Sequence, residues 1–249
     1  VASELRGRGM TIDYLQTDPD RPTGRVHVDV DLEGRPSYDI APAAAWDNLQ
    51  FDPDVEHLAV TCDAVCFGTL AQRDAQSRNT IYRFLDAARR AVRLFDVNLR
   101  SSRGVEFYDA RVLARSCELA TAIKLNREEL PIVLRMLGLG DAGAGEDAGA
   151  AALLRAFPAE MVVLTRGAAG TAVYSRSGQR YEGEAASYPQ AAGADSVGAG
   201  DACSAAVLVA RVCRLPPARL VDLANHAGAF VASRPGATPA LPDEVVARV

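Results

Sequence analysis

Asp195-Ser196-Val197-Gly198-Ala199-Gly200-Asp201 runs directly into the small apolar stretch Ala202 to Ala210. The small apolar run reads as the opening of a buried helix, and the glycines ahead of it as a tight turn. Such a turn bares several backbone N–H groups at a helix start, where the helix dipole adds positive potential. It is therefore built to hold an anion, and phosphate is the anion expected. A carboxylate ending the turn would repel that ligand. Asp201 makes sense there if it takes a proton from an attacking hydroxyl, so the combination points to phosphoryl transfer. The alternative from the glycines alone is an ordinary N-cap with Asp201 capping the helix.

Working outward, the chain from Trp46 onward alternates short apolar strands with amphipathic helices. Strands are expected at Ala64 to Gly68, Val92 to Val97, Leu119 to Leu125 and Met161 to Thr165. Helices are expected at Ser77 to Ala91, near Val105 to Cys117, and from Asn126 to Leu137. This alternation predicts a three-layer α/β/α fold with a mostly parallel central sheet, in which ligands bind beyond the carboxyl ends of the strands. Ahead of Trp46 the pattern differs. Arg25, His27, Asp29 and Asp31 alternate with Val26, Val28, Val30 and Leu32, a period of two that predicts a half-exposed antiparallel strand. With a turn at Glu33-Gly34 and a second strand over Pro36 to Ile40, residues 10–45 form a small β region, read either as an edge hairpin or as a lid over substrate. Residues 1–9 and 46–249 form the core. The Gly- and Ala-rich run from Gly138 to Ala150 follows a helix rather than a strand, so it reads as a flexible surface connection, not a phosphate loop.

Composition narrows the function classes. A chain of 249 residues suits one large α/β domain. With 49% apolar residues and no apolar run near the roughly 20 residues of a membrane span, no membrane association is expected. Val1 to Met10 has no secretory character, so a cytoplasmic location is expected. A net charge of −5 argues against nucleic acid as a partner. Cys62, Cys66, Cys117, Cys203 and Cys213 read as buried thiols, and no structural metal site is suggested by their spacing.

Four clusters fall at expected strand ends. They are Asp96, Asn98 and Arg100; Lys124, Asn126 and Glu129; Thr165, Gly167 and Gly170; and the turn from Asp195 to Asp201. In order and content the chain resembles the ribokinase-like (PfkB) carbohydrate kinases, whose signature reads Asp-Thr-Val-Gly-Ala-Gly-Asp; here Ser196 replaces the Thr. Gln16 with Pro22-Thr23-Gly24, Ala45-Trp46-Asp47, Phe67 to Arg73 and Gly236-Ala237-Thr238-Pro239 lean toward the bacterial fructokinase branch.

The resemblance implies an ATP-dependent kinase that transfers the γ-phosphate to a hydroxyl of a small sugar. Fructose is the leading acceptor, with 2-keto-3-deoxygluconate, ribose or a nucleoside as alternatives. Asp201 would be the general base, and the amides of Gly198, Ala199 and Gly200 the anion hole. Asn126 and Glu129 would organise Mg2+ through water, although their spacing also fits a capping box. Lys124, Thr165, Gly167, Gly170 and Asn225 would serve the nucleotide, with adenine near Asn225, Ala229 and Val231. Asp96, Asn98, Arg100 and Gln72 would serve the substrate, Asp96 and Arg100 being equally readable as a structural ion pair. Asp195, Ser196 and the Ser233 to Gly236 loop would lie near a monovalent cation such as K+, and a homodimer through the lid would be in keeping. Family members ordinarily open with a strand bearing a sugar-binding Asp, then a Gly-Gly turn and an Asn. Val1 to Arg6 aligns instead with a helix ahead of the first lid strand, so the expectation is a chain without that amino-terminal segment. A non-catalytic nucleotide-binding remnant is the corresponding alternative. A Gly- and Ala-rich approach, Ala191 to Ala194, replaces the family's β-branched strand and would hold the phosphate turn less rigidly.

Overall fold

The computed structural model describes residues 1–30, 36–102, 104–140 and 145–249. In chain order its first elements are α1 (Ala2–Gly7), β1 (Val26–Val30), β2 (Pro36–Ile40), α2 (Pro53–Thr61), β3 (Ala64–Gly68), α3 (Ala75–Ala87) and β4 (Val92–Asp96). Two short strands, β5 (Ser101–Ser102) and β6 (Val105–Glu106), precede α4 (Ala110–Leu119), β7 (Ala122–Asn126), α5 (Glu129–Met136) and α6 (Glu146–Ala156). Then follow β8 (Met161–Thr165), β9 (Thr171–Ser175), β10 (Arg180–Glu182), α7 (Ala199–Val212), α8 (Pro217–Ala232) and α9 (Asp243–Val246). No helix among the described residues is long and apolar enough to cross a membrane.

The chain forms two compact units. The first comprises residues 1–62, 69–91 and 99–109. Its period-two segment is indeed a hairpin strand: β1 pairs antiparallel with β2, Val26 opposite Ile40 and Val30 opposite Pro36. The Glu33-Gly34 turn lies outside the described residues. Helix α2 starts where the Asp52 carboxylate accepts the Val55 amide at 2.8 Å, a side-chain N-cap followed by proline at the first helical position. It packs on α3 through Ala59, Phe84 and Ala88. Arg73 gathers the middle of this unit. Its guanidinium forks onto both Asp47 oxygens at 2.8 and 2.7 Å, reaches the Ala41 carbonyl at 2.7 Å, and lies between the rings of Trp46 and Phe107. Gly24 passes beneath that indole, where a Cβ would fall 2.2 Å from the ring.

The second unit, residues 63–68, 92–98 and 110–249, holds the six-stranded sheet in the order β10-β9-β8-β7-β4-β3. Strands β3, β4, β7 and β8 are parallel, and β9 and β10 add an antiparallel hairpin at one edge, giving a mixed, mostly parallel sheet. Side chains on one face alternate with those on the other. Leu94, Ala122, Met161, Val163 and Val173 turn toward α7 and α8, where Cys203, Val207, Leu220, Val221 and Ala224 complete one core. On the opposite face α4, α5 and α6 cover Phe95, Ile123, Val162 and Leu164.

Several expected boundaries shift. The helix read near Val105 to Cys117 begins only at Ala110, because Val105 and Glu106 pair with Ser102 and Ser101. The run Gly138 to Ala150 is not a connection throughout: α6 starts at Glu146, and its Gly149 sits where a Cβ would meet the Leu134 side chain at 2.9 Å. Its residues 141–144 lie outside the described ones. The cysteines divide as well. Cys117 and Cys203 are buried, but Cys66 on edge strand β3 and Cys213 after α7 are exposed.

Candidate active site

The register of the parallel strands sets the site. Gly68, Asp96 and Lys124 stand abreast, as do Asn126 and Thr165, so the carboxyl edge of the second unit's sheet carries most of the polar residues singled out in the sequence. Period two also decides their face. Asp96 follows Leu94 by two, and Lys124 follows Ala122 by two, so both project toward α7 rather than toward α4 to α6.

There they meet. The Lys124 ammonium lies 2.8 Å from the Asp96 Oδ2, and the Ser204 hydroxyl of α7 donates to the same oxygen at 2.6 Å. Lys124, Asp96 and Ser204 are 4%, 7% and 4% exposed. Burial works against the Lys124 charge, but the surrounding groups, the Asp96 carboxylate foremost, together outweigh that and hold the ammonium above its ordinary pKa. Lys124 and Asp96, assigned to nucleotide and substrate in the sequence, are thus joined in a buried ion pair. Ser204 was not singled out; its spacing of three residues beyond Asp201, on the same helix face, was the available signal.

The turn itself is shaped by positive φ and by a distant loop. Gly198 has φ +82°, and a Cβ on it would fall 2.2 Å from the Ala237 carbonyl oxygen, so neither its conformation nor its surroundings admit a side chain. Asp195 accepts the Val197 amide at 2.9 Å on one oxygen and the Gly236 amide at 3.0 Å on the other; those two N–H groups, Gly236 first, hold its carboxyl below the usual range. No strand approaches the turn: residues 191–195 are irregular, with Ala191 and Asp195 donating to the carbonyls of Ser233 and Arg234.

At the helix start the amides divide. Ala199, expected in the anion hole, donates to the Ser196 carbonyl at 3.3 Å. Among the described residues no partner stands opposite the amides of Gly198, Gly200 and Asp201. That pattern is what the first turn of a helix leaves open. Asp201 is exposed beside them.

The other clusters take more local parts. Asn126 and Glu129 form a reciprocal capping box: the Asn126 amide donates to Glu129 Oε2 at 2.9 Å, and the Glu129 amide to Asn126 Oδ1 at 2.8 Å. Thr165 ends β8, and the turn after it closes through Arg166 N–H to Gly170 and Gly170 N–H to Gly167, with both glycines at positive φ. Asn225 is buried and spends its amide on backbone, accepting from Thr171 at 2.8 Å and donating to the Glu184 carbonyl at 2.9 Å. In this way its side chain fastens α8 to β9 and to the segment after β10. Ala229 and Val231 continue the same helix, with Val231 buried. Asn98 adopts φ +40° just past β4. Arg100 and Gln72 belong to the first unit. Arg100 accepts the Phe107 amide on its carbonyl, and Gln72 is wholly buried, so its surface is not available to a substrate. No cluster of three or more acidic, His or Cys side chains fit to hold a metal occurs among the described residues.

Solved structures with the same architecture are kinases of the ribokinase fold. The fructokinase of Xylella fastidiosa with bound ATP superposes with a TM-score of 0.79 at 24% identity, covering 99% of this chain and 79% of that one. The nucleoside kinase of Burkholderia thailandensis, in complex with inosine, does so with a TM-score of 0.74 at 21% identity, covering 99% and 74%. A fructokinase of Escherichia coli is 25% identical over 256 residues, spanning 96% of this chain and 76% of the relative. The model of the pfkB family carbohydrate kinases matches residues 1–244. The chain belongs to that family, and is accordingly a sugar or nucleoside kinase, a phosphotransferase with a hydroxyl acceptor.

Proposed function

We propose that the chain phosphorylates a hydroxyl of a small sugar at the expense of ATP, with fructose the first acceptor to test. The observation that carries this reading is the start of α7. Three amides without a partner among the described residues, those of Gly198, Gly200 and Asp201, sit at the positive end of a helix beside an exposed carboxylate. Fructose is favoured by the Escherichia coli and Xylella fastidiosa relatives, both fructokinases. A nucleoside acceptor is the second reading, favoured by the Burkholderia thailandensis neighbour in complex with inosine.

In the reading favoured here, the Asp201 carboxylate takes the proton of the acceptor hydroxyl as its oxygen bonds the γ-phosphorus and the bond to the bridging oxygen of ADP breaks. Charge on the transferred phosphoryl oxygens is met by the three amides, fixed dipoles that need no reorganisation during the step. The Thr165 to Gly170 turn faces the same sheet edge and would receive the remaining phosphates. The side chains present suit a magnesium ion carried on the nucleotide and reached through water, since the described residues build no direct protein cage and Glu129 already commits one oxygen to its capping box. Bound there, the ion would neutralise phosphate charge.

The test is Asp201→Asn assayed for ADP formation on a panel of fructose, ribose, 2-keto-3-deoxygluconate and nucleosides. Turnover on the preferred acceptor should fall about 10²- to 10⁴-fold with little change in the KM for ATP. Full turnover in the variant rules out the base assignment. ATP binding without turnover on any acceptor supports the non-catalytic reading instead.

A further inference from the structure

We propose that Ser204 is a positioning residue for phosphoryl transfer, tying the first turn of α7 to the Asp96–Lys124 pair so that the amides of Gly200 and Asp201 and the Asp201 carboxylate are held in register. This rests on the reading of Asp201 as the base.

The need for such a tie follows from where these groups sit. The first turn of a helix lacks the backbone hydrogen bonds that fix later turns, and Gly200 adds conformational freedom to it. Nothing in the helix's own bonding pins the Gly200 and Asp201 amides. Ser204 stands one turn further along. A buried serine on a helix can satisfy its hydroxyl on the carbonyl four residues back, and the Gly200 oxygen is 3.1 Å away. The closer partner is Asp96 Oδ2 at 2.6 Å, in the range of charge-assisted O–H···O⁻ bonds. That carboxylate is fixed in turn by Lys124, whose ammonium lies 3.6 Å from the position a Gly200 Cβ would take. The ends of β4 and β7 are thereby linked through side chains to the stretch of α7 that backbone bonding leaves loose. Displacement of a reacting group by about 1 Å can cost on the order of 10²-fold in rate, so a tie of this kind matters to chemistry even where the fold survives its loss.

The experiment compares Ser204→Ala, Ser204→Thr and Asp201→Asn in the full chain, with kinetics on the best acceptor and amide hydrogen exchange across α7. Ser204→Ala should remain folded and lose roughly 10- to 10²-fold in kcat, with KM for ATP and acceptor within about 3-fold of the parent. Ser204→Thr, which keeps the hydroxyl, should recover most of that loss. Exchange at Ala202, whose amide closes the first turn of α7 onto the Gly198 carbonyl at 2.8 Å, is a readout that needs no turnover and should quicken about 10-fold in the alanine variant while the middle of the helix is unchanged. Unchanged kcat, unchanged exchange at Ala202, or a loss shared equally by the threonine variant overturns the proposal. Failure of the base reading is visible separately, because Asp201→Asn would then keep parental turnover whatever Ser204→Ala does.

Discussion

Replacing Lys124 by methionine isolates the energetic weight of the buried pair. The substitution keeps length and apolar volume but removes the ammonium 2.8 Å from Asp96, leaving a carboxylate that is 7% exposed with the Ser204 hydroxyl as its remaining described donor. Breaking one side of a buried ion pair costs about 3–5 kcal/mol, most of it the uncompensated charge. For a domain of this size each kcal/mol moves Tm by roughly 2–4 °C, so a fall of about 6–20 °C is expected in thermal unfolding followed by calorimetry. The double variant Asp96→Asn/Lys124→Met removes both charges and should regain more than half of the loss, since replacing a whole buried pair is often close to neutral. A Tm for Lys124→Met within about 2 °C of the parent would refute the reasoning, because Asp96 would then not depend on Lys124 for its charge.

Gly198→Ala should be destabilised by about 2–5 kcal/mol, combining the left-handed conformation with the clash at the Ala237 carbonyl, and urea unfolding measures it. The raised Lys124 pKa predicts an alkaline limb. A group whose folded pKa lies above its unfolded value, about 10.4 for lysine, gives its full stabilisation below that pH and loses it as pH climbs through the folded value. The urea midpoint should therefore decline above about pH 10.4 in the parent, and more steeply than in the double variant. Equal slopes in the two would separate Lys124 from that limb.

Local pattern carried much of the fold. Strands β3 and β8 fall on the residues that their apolar runs delimit, and the alternation of Val26, Val28 and Val30 with polar neighbours found the hairpin. Where two interactions compete, the sequence was less legible. Val105 and Glu106 lie shortly before α4, yet pair across to Ser101 and Ser102, a contact that no periodicity reports. The glycines of residues 138–150 suggest a loose connection, but Gly149 is small because α6 lies close to Leu130 and Leu134. Edge position is equally invisible: Cys66 sits in an apolar strand and is exposed because β3 pairs on one side only among the described strands. At the site, the glycine turn ahead of α7 was readable from residue types. The partnerships were not. Asp96, Lys124 and Ser204 are separated by 28 and 80 residues and come together only through strand register and helix docking. The resemblance implies outward roles for Ala199 and Asn225, and it carries no sign that the Ala199 amide meets Ser196 or that the Asn225 side chain meets Thr171 and Glu184.

The glycine turn borrows its shape from a loop about 40 residues further on: Ser233 and Arg234 accept from its approach, Gly236 holds the Asp195 carboxylate, and the Ala237 carbonyl fills the space a Gly198 side chain would need. Separated from residues 233–237, the turn would keep its whole sequence and lose the groups that fill and fasten it, so its shape is not a local property of residues 195–201.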